Sequence, residues 1–307
     1  MKRRESVYHV PVMLEEAVAA LDVKEGGTYV DCTFGGGGHS RAIMERMGTE
    51  GRLYAFDQDE DAMKGVPEDA RLTFILSNFR YIARWMRYYG VERVDGIMAD
   101  LGMSSHHLDT EGRGFSFQEE GELDMRMNRK GRLTASRVVN EYGEEALSDV
   151  LYHYGELRES RRIAHAIVKA RGEELLLRVG DLVRVVAPVL EQRRAKKDMA
   201  RVFQALRIEV NDEMAALRDM LGAVPGLLKE DGRLVVLTYH SLEDRMVKNF
   251  IAAGNEAGEV GKDVYGNVLS PLEAVGRAVT PTEEEQAENP RSRSGRLRVA
   301  RLRRDAR

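Results

Sequence analysis

An α/β fold built around a parallel sheet is predicted by three observations. Short apolar runs, each long enough for one buried strand, alternate with stretches of helical spacing. Successive runs end in an acid or an aromatic, at Asp57, Phe79 and Asp100, the pattern expected where strand tips line a binding edge. The first run passes through Asp31-Cys32-Thr33-Phe34 and four consecutive glycines, Gly35 to Gly38, into a helix-forming stretch over 41–47. Strand, glycine turn and helix together bring backbone N–H groups and a helix N-terminus up to a ligand.

In chain order, Pro11 precedes an amphipathic helix over 12–21, a residue suited to a first helical turn. His9, just before it, is placed either to face the glycine loop or to serve structurally. The first strand is Thr28-Tyr29-Val30. A run of four glycines is entropically costly, and a plain turn needs one or two, so the run points to a ligand loop. It is not a dinucleotide loop. G-x-G-x-x-G begun at Gly35 ends on Ser40, and begun at Gly36 it ends on Arg41. The phosphate loop is excluded as well, because no lysine follows the glycines.

The second strand, 52–56, ends in Asp57, an acid placed to accept hydrogen bonds from a ribose diol. The loop thus reads as a nucleoside site that need not hold a pyrophosphate, and S-adenosylmethionine is such a ligand. A third strand over 71–76 leads to Phe79, placed either to border a purine or to pack in the core. The fourth, 94–99, opens into Asp100-Leu101-Gly102-Met103-Ser104-Ser105, a cluster with the makeup of a site.

Strand patterns then stop. Helical stretches are expected over 135–140, 144–153, 160–170 and 180–190, and a long amphipathic helix over 201–221 has Val202, Leu206, Val210, Met214, Leu217 and Leu221 on one face. A fifth strand over 232–237 follows a tight turn at Glu230-Asp231-Gly232 and runs into Thr238-Tyr239-His240-Ser241-Leu242-Glu243-Asp244-Arg245. Closing strands are expected over 276–280 and 296–302. The sheet domain therefore comprises residues 1–107 and 201–307, and residues 108–200 form an inserted all-helical domain.

Composition narrows the partners. The chain has 307 residues, 43% of them hydrophobic, enough for a sizeable core, and its net charge of −4 selects no partner. Charge is unevenly distributed. Residues 291–307 hold eight arginines and one acid, and over 158–201 basic residues outnumber acids twelve to six. Such stripes suit either a polyanion or a solvated helix face. A single cysteine, Cys32, excludes disulfides and fits a reducing cytoplasm. Neither a signal-peptide core nor 18 uninterrupted apolar residues occur, so no membrane association is expected.

These segments resemble one family. His9-Val10-Pro11-Val12, Asp31 to Ser40, Asp95-Gly96-Ile97, Asp100 to Ser105 and Arg113-Gly114-Phe115-Ser116-Phe117 carry the likeness in the first part of the chain. Leu123-Asp124-Met125-Arg126-Met127, Arg201 to Ile208, Val210 to Glu213, His240 to Arg245, Asn289 to Ser294 and Leu297 to Ala300 carry it in the remainder. The chain resembles the RsmH/MraW family of bacterial small-subunit ribosomal RNA (cytosine-N4)-methyltransferases. The resemblance implies a class I S-adenosylmethionine-dependent (Rossmann-like) domain with a helical substrate domain. It also implies N4 methylation of a cytidine in the P-site region of 16S rRNA, with the small ribosomal subunit as partner. Carried over by position, the cofactor contacts are Gly37, Gly38, His39, Asp57, Phe79, Asp100 and His107. Three positions depart from the family pattern: His107 replaces a glutamine, Cys32 a glycine, and Lys197-Asp198-Met199-Ala200 a His-Pro-Ala-Thr.

N4 of cytosine is a poor nucleophile because its lone pair is delocalised into the ring. Methyl transfer to it calls for alignment and for a carboxylate or carbonyl where positive charge develops. Asp100 is the best-placed carboxylate, and His240 and Asp244 are secondary candidates for proton or loop duties. No metal is called for, since the histidines lack ligand spacing. The helical insertion and the arginine-rich tail are the candidate phosphate-binding surfaces. Other readings of the same residues are methylation of another nucleobase amine such as adenine N6, a nucleotide-dependent oxidoreductase, and a non-catalytic rRNA-binding assembly factor.

Overall fold

Strand β1 (Thr28–Asp31) lies in the interior of the sheet, its side chains buried on both faces as a parallel strand covered by helices on two sides requires. The computed structural model describes residues 11–103 and 112–303. Around β1 the described residues form a seven-stranded sheet of β2 (Arg52–Asp57), β3 (Leu72–Leu76), β4 (Val94–Asp100), β5 (Leu228–Thr238), β6 (Leu272–Ala274) and β7 (Arg296–Leu302). The strand order is β3-β2-β1-β4-β5-β7-β6. The first five strands are parallel, while β7 runs antiparallel to both β5 and β6. The order reverses direction between β1 and β4, which opens a crevice at their carboxyl ends, the usual ligand position in such sheets.

Helices α1 (Leu14–Ala20) and α2 (Gly38–Arg46) supply Ala17, Val18, Ile43 and Met44 to a core shared with Tyr29, Leu53, Met98 and Val235. Helix α3 (Ile82–Tyr88) follows a short 3-10 turn, Phe79–Tyr81, and buries Ile82 and Met86 one turn apart. Two strand expectations are corrected. The Glu230-Asp231-Gly232 segment does not precede β5 but lies inside it as a bulge: the pairing with β4 jumps from Val94–Leu228 to Gly96–Arg233. The strand partnering β7 at the sheet edge is Leu272–Ala274, and in the expected 276–280 segment only Val279 forms an isolated bridge, to Leu297.

The described chain divides into two compact units, residues 1–102 with 214–307, and residues 103–213. The second unit is helical: α4 (Ala135–Glu141), α5 (Glu144–His153), α6 (Ser160–Arg171), α7 (Val179–Val186) and α8 (Ala195–Asn211). Its core gathers Val138, Leu147, Leu151, Ile163, Ile167, Leu182, Val202 and Leu206. The single helix expected over 201–221 is two helices, α8 and α9 (Glu213–Leu227), broken at Asp212. Asp212 has φ 50°, left-handed backbone that an α-helix cannot continue through. The hydrophobic spacing carries across this break, which is why periodicity alone does not locate it. Among the described residues no helix is long and apolar enough to cross a membrane. After β5 come α10 (Ser241–Ala253) and, before β7, α11 (Glu283–Glu288).

The tail arginines have a structural role that composition does not reveal. Arg296 and Arg298 on β7 grip Asp244 at 2.8 and 2.6 Å, and Arg301 pairs with Glu273 on β6 at 2.6 Å. The two guanidiniums hold the Asp244 carboxyl below the usual carboxylate range against the opposing effect of its burial. Asp244→Ala is expected to lower Tm and to loosen β7 against α10. Stability contributed by a depressed carboxylate is present at neutral pH and lost on acidification. The wild-type advantage in thermal melts should therefore shrink as the pH falls through the Asp244 titration.

Candidate active site

The glycine loop is held in shape by acids on both sides. Asp31, at the end of β1, is buried and accepts hydrogen bonds from Ser40 Oγ at 2.6 Å and from the Thr33 amide at 3.0 Å. Burial raises its pKa, and those two hydrogen bonds oppose the rise. Asp57, at the tip of β2, accepts the Gly35 amide on Oδ2 and the Asp59 amide on Oδ1, both at 2.8 Å. The acid thus braces the loop from the position where a ribose diol is expected.

Gly37 is required by torsion and by space, and Gly38 by space. Gly37 is the N-cap of α2 with φ 75°, and a Cβ there would lie 2.7 Å from the Phe34 ring. A Cβ on Gly38 would lie 2.1 Å from Pro11 Cγ. Cys32 is buried in the same turn, and burial, with Asp31 second, pushes its thiol pKa up, so it is a packing residue and not a thiolate.

Asp100 ends β4 beside this loop. Its amide donates to Thr33 Oγ1 at 2.7 Å, which ties the β4 tip to the β1 tip. Its carboxylate accepts the Tyr239 hydroxyl on Oδ1 at 2.6 Å. The other oxygen faces His39 Nδ1 at 3.7 Å, an ion-pair distance too long for a hydrogen bond. The side chain keeps 24% of its surface exposed although protein surrounds it densely, and burial drives its pKa up to about 7. The Tyr239 hydrogen bond opposes this rise, and the neighbouring Glu243 adds to it. His39 is buried with its Nε2 lacking a hydrogen-bond partner, and desolvation lowers its pKa, with Asp31 opposing.

Tyr239 is the residue that sequence reasoning passes over. It stands at the end of β5, next to β4 in the sheet, and its ring would contact a Cβ on Gly102 at 3.2 Å. The available signal was its place in the Thr238 to Arg245 cluster, where His240 and Asp244 drew attention instead. Burial, then the charge of Asp100, pushes the Tyr239 phenol well above its ordinary pKa, so it remains a donor. Tyr239→Phe removes a bond that favours the Asp100 carboxylate. The acid limb of the kcat/KM profile is expected to move up from near 7 by about one pH unit, with little change in fold.

The other expected residues are placed as follows. Phe79 begins the 3-10 turn after β3, half-buried, and Asn78 before it bonds Gln58 Oε1 at 3.0 Å, joining this turn to the β2 tip. His240 is the N-cap of α10: its Nδ1 accepts the Glu243 amide at 3.4 Å and its Nε2 lies 3.0 Å from Glu243 Oε1. The ring is engaged in a reciprocal capping box with Glu243. Asp244 is committed to Arg296 and Arg298. His9, Ser104, Ser105 and His107 lie outside the described residues.

These residues fit a nucleoside-bearing methyl donor. Acids brace the loop from two strand tips, a Cβ at Gly36 would meet nothing within 4 Å so the loop is open there, and the buried His39 Nε2 retains unused hydrogen-bonding capacity.

The profile of the MraW methylase family matches residues 6–303. A protein of Phocaeicola vulgatus, named ribosomal RNA small subunit methyltransferase H, is 54% identical over 301 residues, covering 98% of this chain and 99% of that protein. The protein of the same name in Parabacteroides distasonis is 55% identical over 302 residues, with the same coverage of both. Among solved structures, an rRNA methylase from Streptococcus thermophilus aligns with 94% of this chain and 93% of its own at 11% identity and a TM-score of 0.38.

Proposed function

Because the chain belongs to the MraW methylase family, we propose that it methylates N4 of a cytidine in the decoding region of 16S rRNA, with S-adenosylmethionine as methyl donor. The observation that carries this reading is the Asp100 carboxylate, fixed by Tyr239 at the β4 tip beside the glycine loop and still partly open to solvent. S-adenosylmethionine, when bound, supplies an activated methyl group. Gly37, Gly38, His39, Asp57, Phe79 and Asp100 are the residues assigned to hold it, along with His107.

The chain's own contribution is position and charge. Tyr239 holds one oxygen of Asp100, and the carboxylate is the group assigned to the cytosine amine. A carboxylate there accepts an N–H hydrogen bond, returns electron density to the amine nitrogen and stabilises the positive charge that develops on it. The carboxylate form is the useful one, so activity should rise with pH through about 7. Paired cytosine hides N4 within a duplex, so the substrate must present the base unpaired. We assign substrate recognition to the helical unit.

Radiolabelled methyl transfer to isolated small and large ribosomal subunits tests the reading. Label confined to small-subunit RNA is expected, and label on neither RNA refutes it. Calorimetry should show binding of S-adenosylmethionine and none of NAD, which separates the methyltransferase from the oxidoreductase reading.

A further inference from the structure

From Leu76 to Val91 the chain contains three arginines and no acidic residue, in a protein whose net charge is −4. This segment includes α3. With Ile82 and Met86 turned into the core, the opposite side shows Tyr81, Arg84 and Tyr88 at spacings of three and four residues, one line along the helix. Tyr81 is 41% and Tyr88 75% exposed. The Arg84 guanidinium lies 5.3 Å from the centre of the Tyr81 ring. Tyr88 meets Trp85 edge-on at 5.6 Å and Tyr89 at 5.1 Å, and Tyr89 stacks on Trp85 at 6.1 Å. Arg80 is paired with Asp219, whereas Arg84 and Arg87 are exposed and form no ion pair among the described residues.

We infer that this face of α3 is a docking surface for a single-stranded RNA segment next to the target nucleotide. The inference rests on the rRNA-methyltransferase reading and adds a surface that the reading does not assign. Charge complementarity selects the occupant. Unpaired guanidiniums suit phosphates, and exposed tyrosine faces offer stacking platforms for unpaired bases. An apolar protein partner would leave Arg84 and Arg87 to be buried without counter-charges. The face is continuous with the site rim, since the turn leading into α3 begins at Phe79 and is tied to the β2 tip through Asn78 and Gln58. The tail arginines Arg296, Arg298 and Arg301 are already paired with acids, which leaves α3 the better cationic surface on the sheet unit.

The test uses the full chain. Trp85 is the sole tryptophan, so its fluorescence reports on this patch alone. Titration with a short unstructured RNA should change that emission, and the Tyr88→Ser variant should bind about tenfold more weakly. In methyl transfer to small subunits, Arg84→Gln with Arg87→Gln should raise KM at least several-fold and reduce the slope of log affinity against log salt by about 1.4. The kcat and S-adenosylmethionine affinity should not change. If the unaltered protein methylates rRNA while the variants keep its KM and salt slope, the docking surface is refuted and the enzymatic reading stands. If the unaltered protein does not methylate rRNA, the enzymatic reading fails first. Variants that instead convert a dimer to a monomer in sedimentation would show a contact between copies of this chain and overturn the RNA assignment.

Discussion

Asp100→Asn is expected to lower kcat for methyl transfer by about 10²–10⁴-fold, the range usual for a positioned proton acceptor. The amide keeps the shape of the side chain and can still accept the Tyr239 hydroxyl, but it carries no charge to stabilise a developing cation. Stability should move the other way. The folded-state pKa of Asp100, about 7, lies above the ordinary aspartate value of 3.8, so the folded protein binds the proton more tightly than the unfolded chain does. The cost of ionising the buried carboxyl is absent below pH 3.8, grows as the pH rises, and is complete above about 7. In thermal melts the variant should therefore match the wild type near pH 4 and exceed it at pH 8. Loss of activity with gain of stability is the signature of a charge kept for function.

Asp57→Ala is expected to weaken S-adenosylmethionine binding by about a hundredfold or more, since hydrogen bonds to a charged acceptor contribute about 1.5–3 kcal/mol each. The same substitution removes the acceptor of the Gly35 and Asp59 amides, so the loop loses its brace as well as its ribose contact. Asp57→Asn separates the two effects. The asparagine carbonyl can replace only one acceptor, so calorimetry should give an affinity between those of the alanine variant and the wild type. Equal affinities for all three proteins would remove Asp57 from the cofactor site.

The sheet was legible in the sequence because parallel strands buried on both faces read as apolar runs, and β1 to β4 appear within a residue or two of the expected limits. The β5 bulge was hidden because Glu230-Asp231-Gly232 has the composition of a turn, and only pairing with β4 shows that the strand resumes on both sides. The division into α8 and α9 was hidden for a similar reason, as Asp212 gives no signal in a pattern of apolar spacing. Within the site, the acids at strand tips were recognisable by position, whereas Tyr239 and Thr33 act through long-range contacts to Asp100 that spacing does not encode. The arginine tail has a second role that composition does not show. Its charge suggests RNA, and its strand arginines Arg296 and Arg301 also meet Asp244 and Glu273, residues 52 and 28 positions earlier in the chain.

The most direct test of the central claim is nucleoside mass spectrometry of small-subunit RNA after reaction with the purified protein and isotopically labelled S-adenosylmethionine. N4-methylcytidine at a single position in the decoding region, formed by the wild type and lost with Asp100→Asn, is the expected result. Label on an adenine or on a ring carbon, or undiminished N4-methylcytidine from the Asp100 variant, would contradict it.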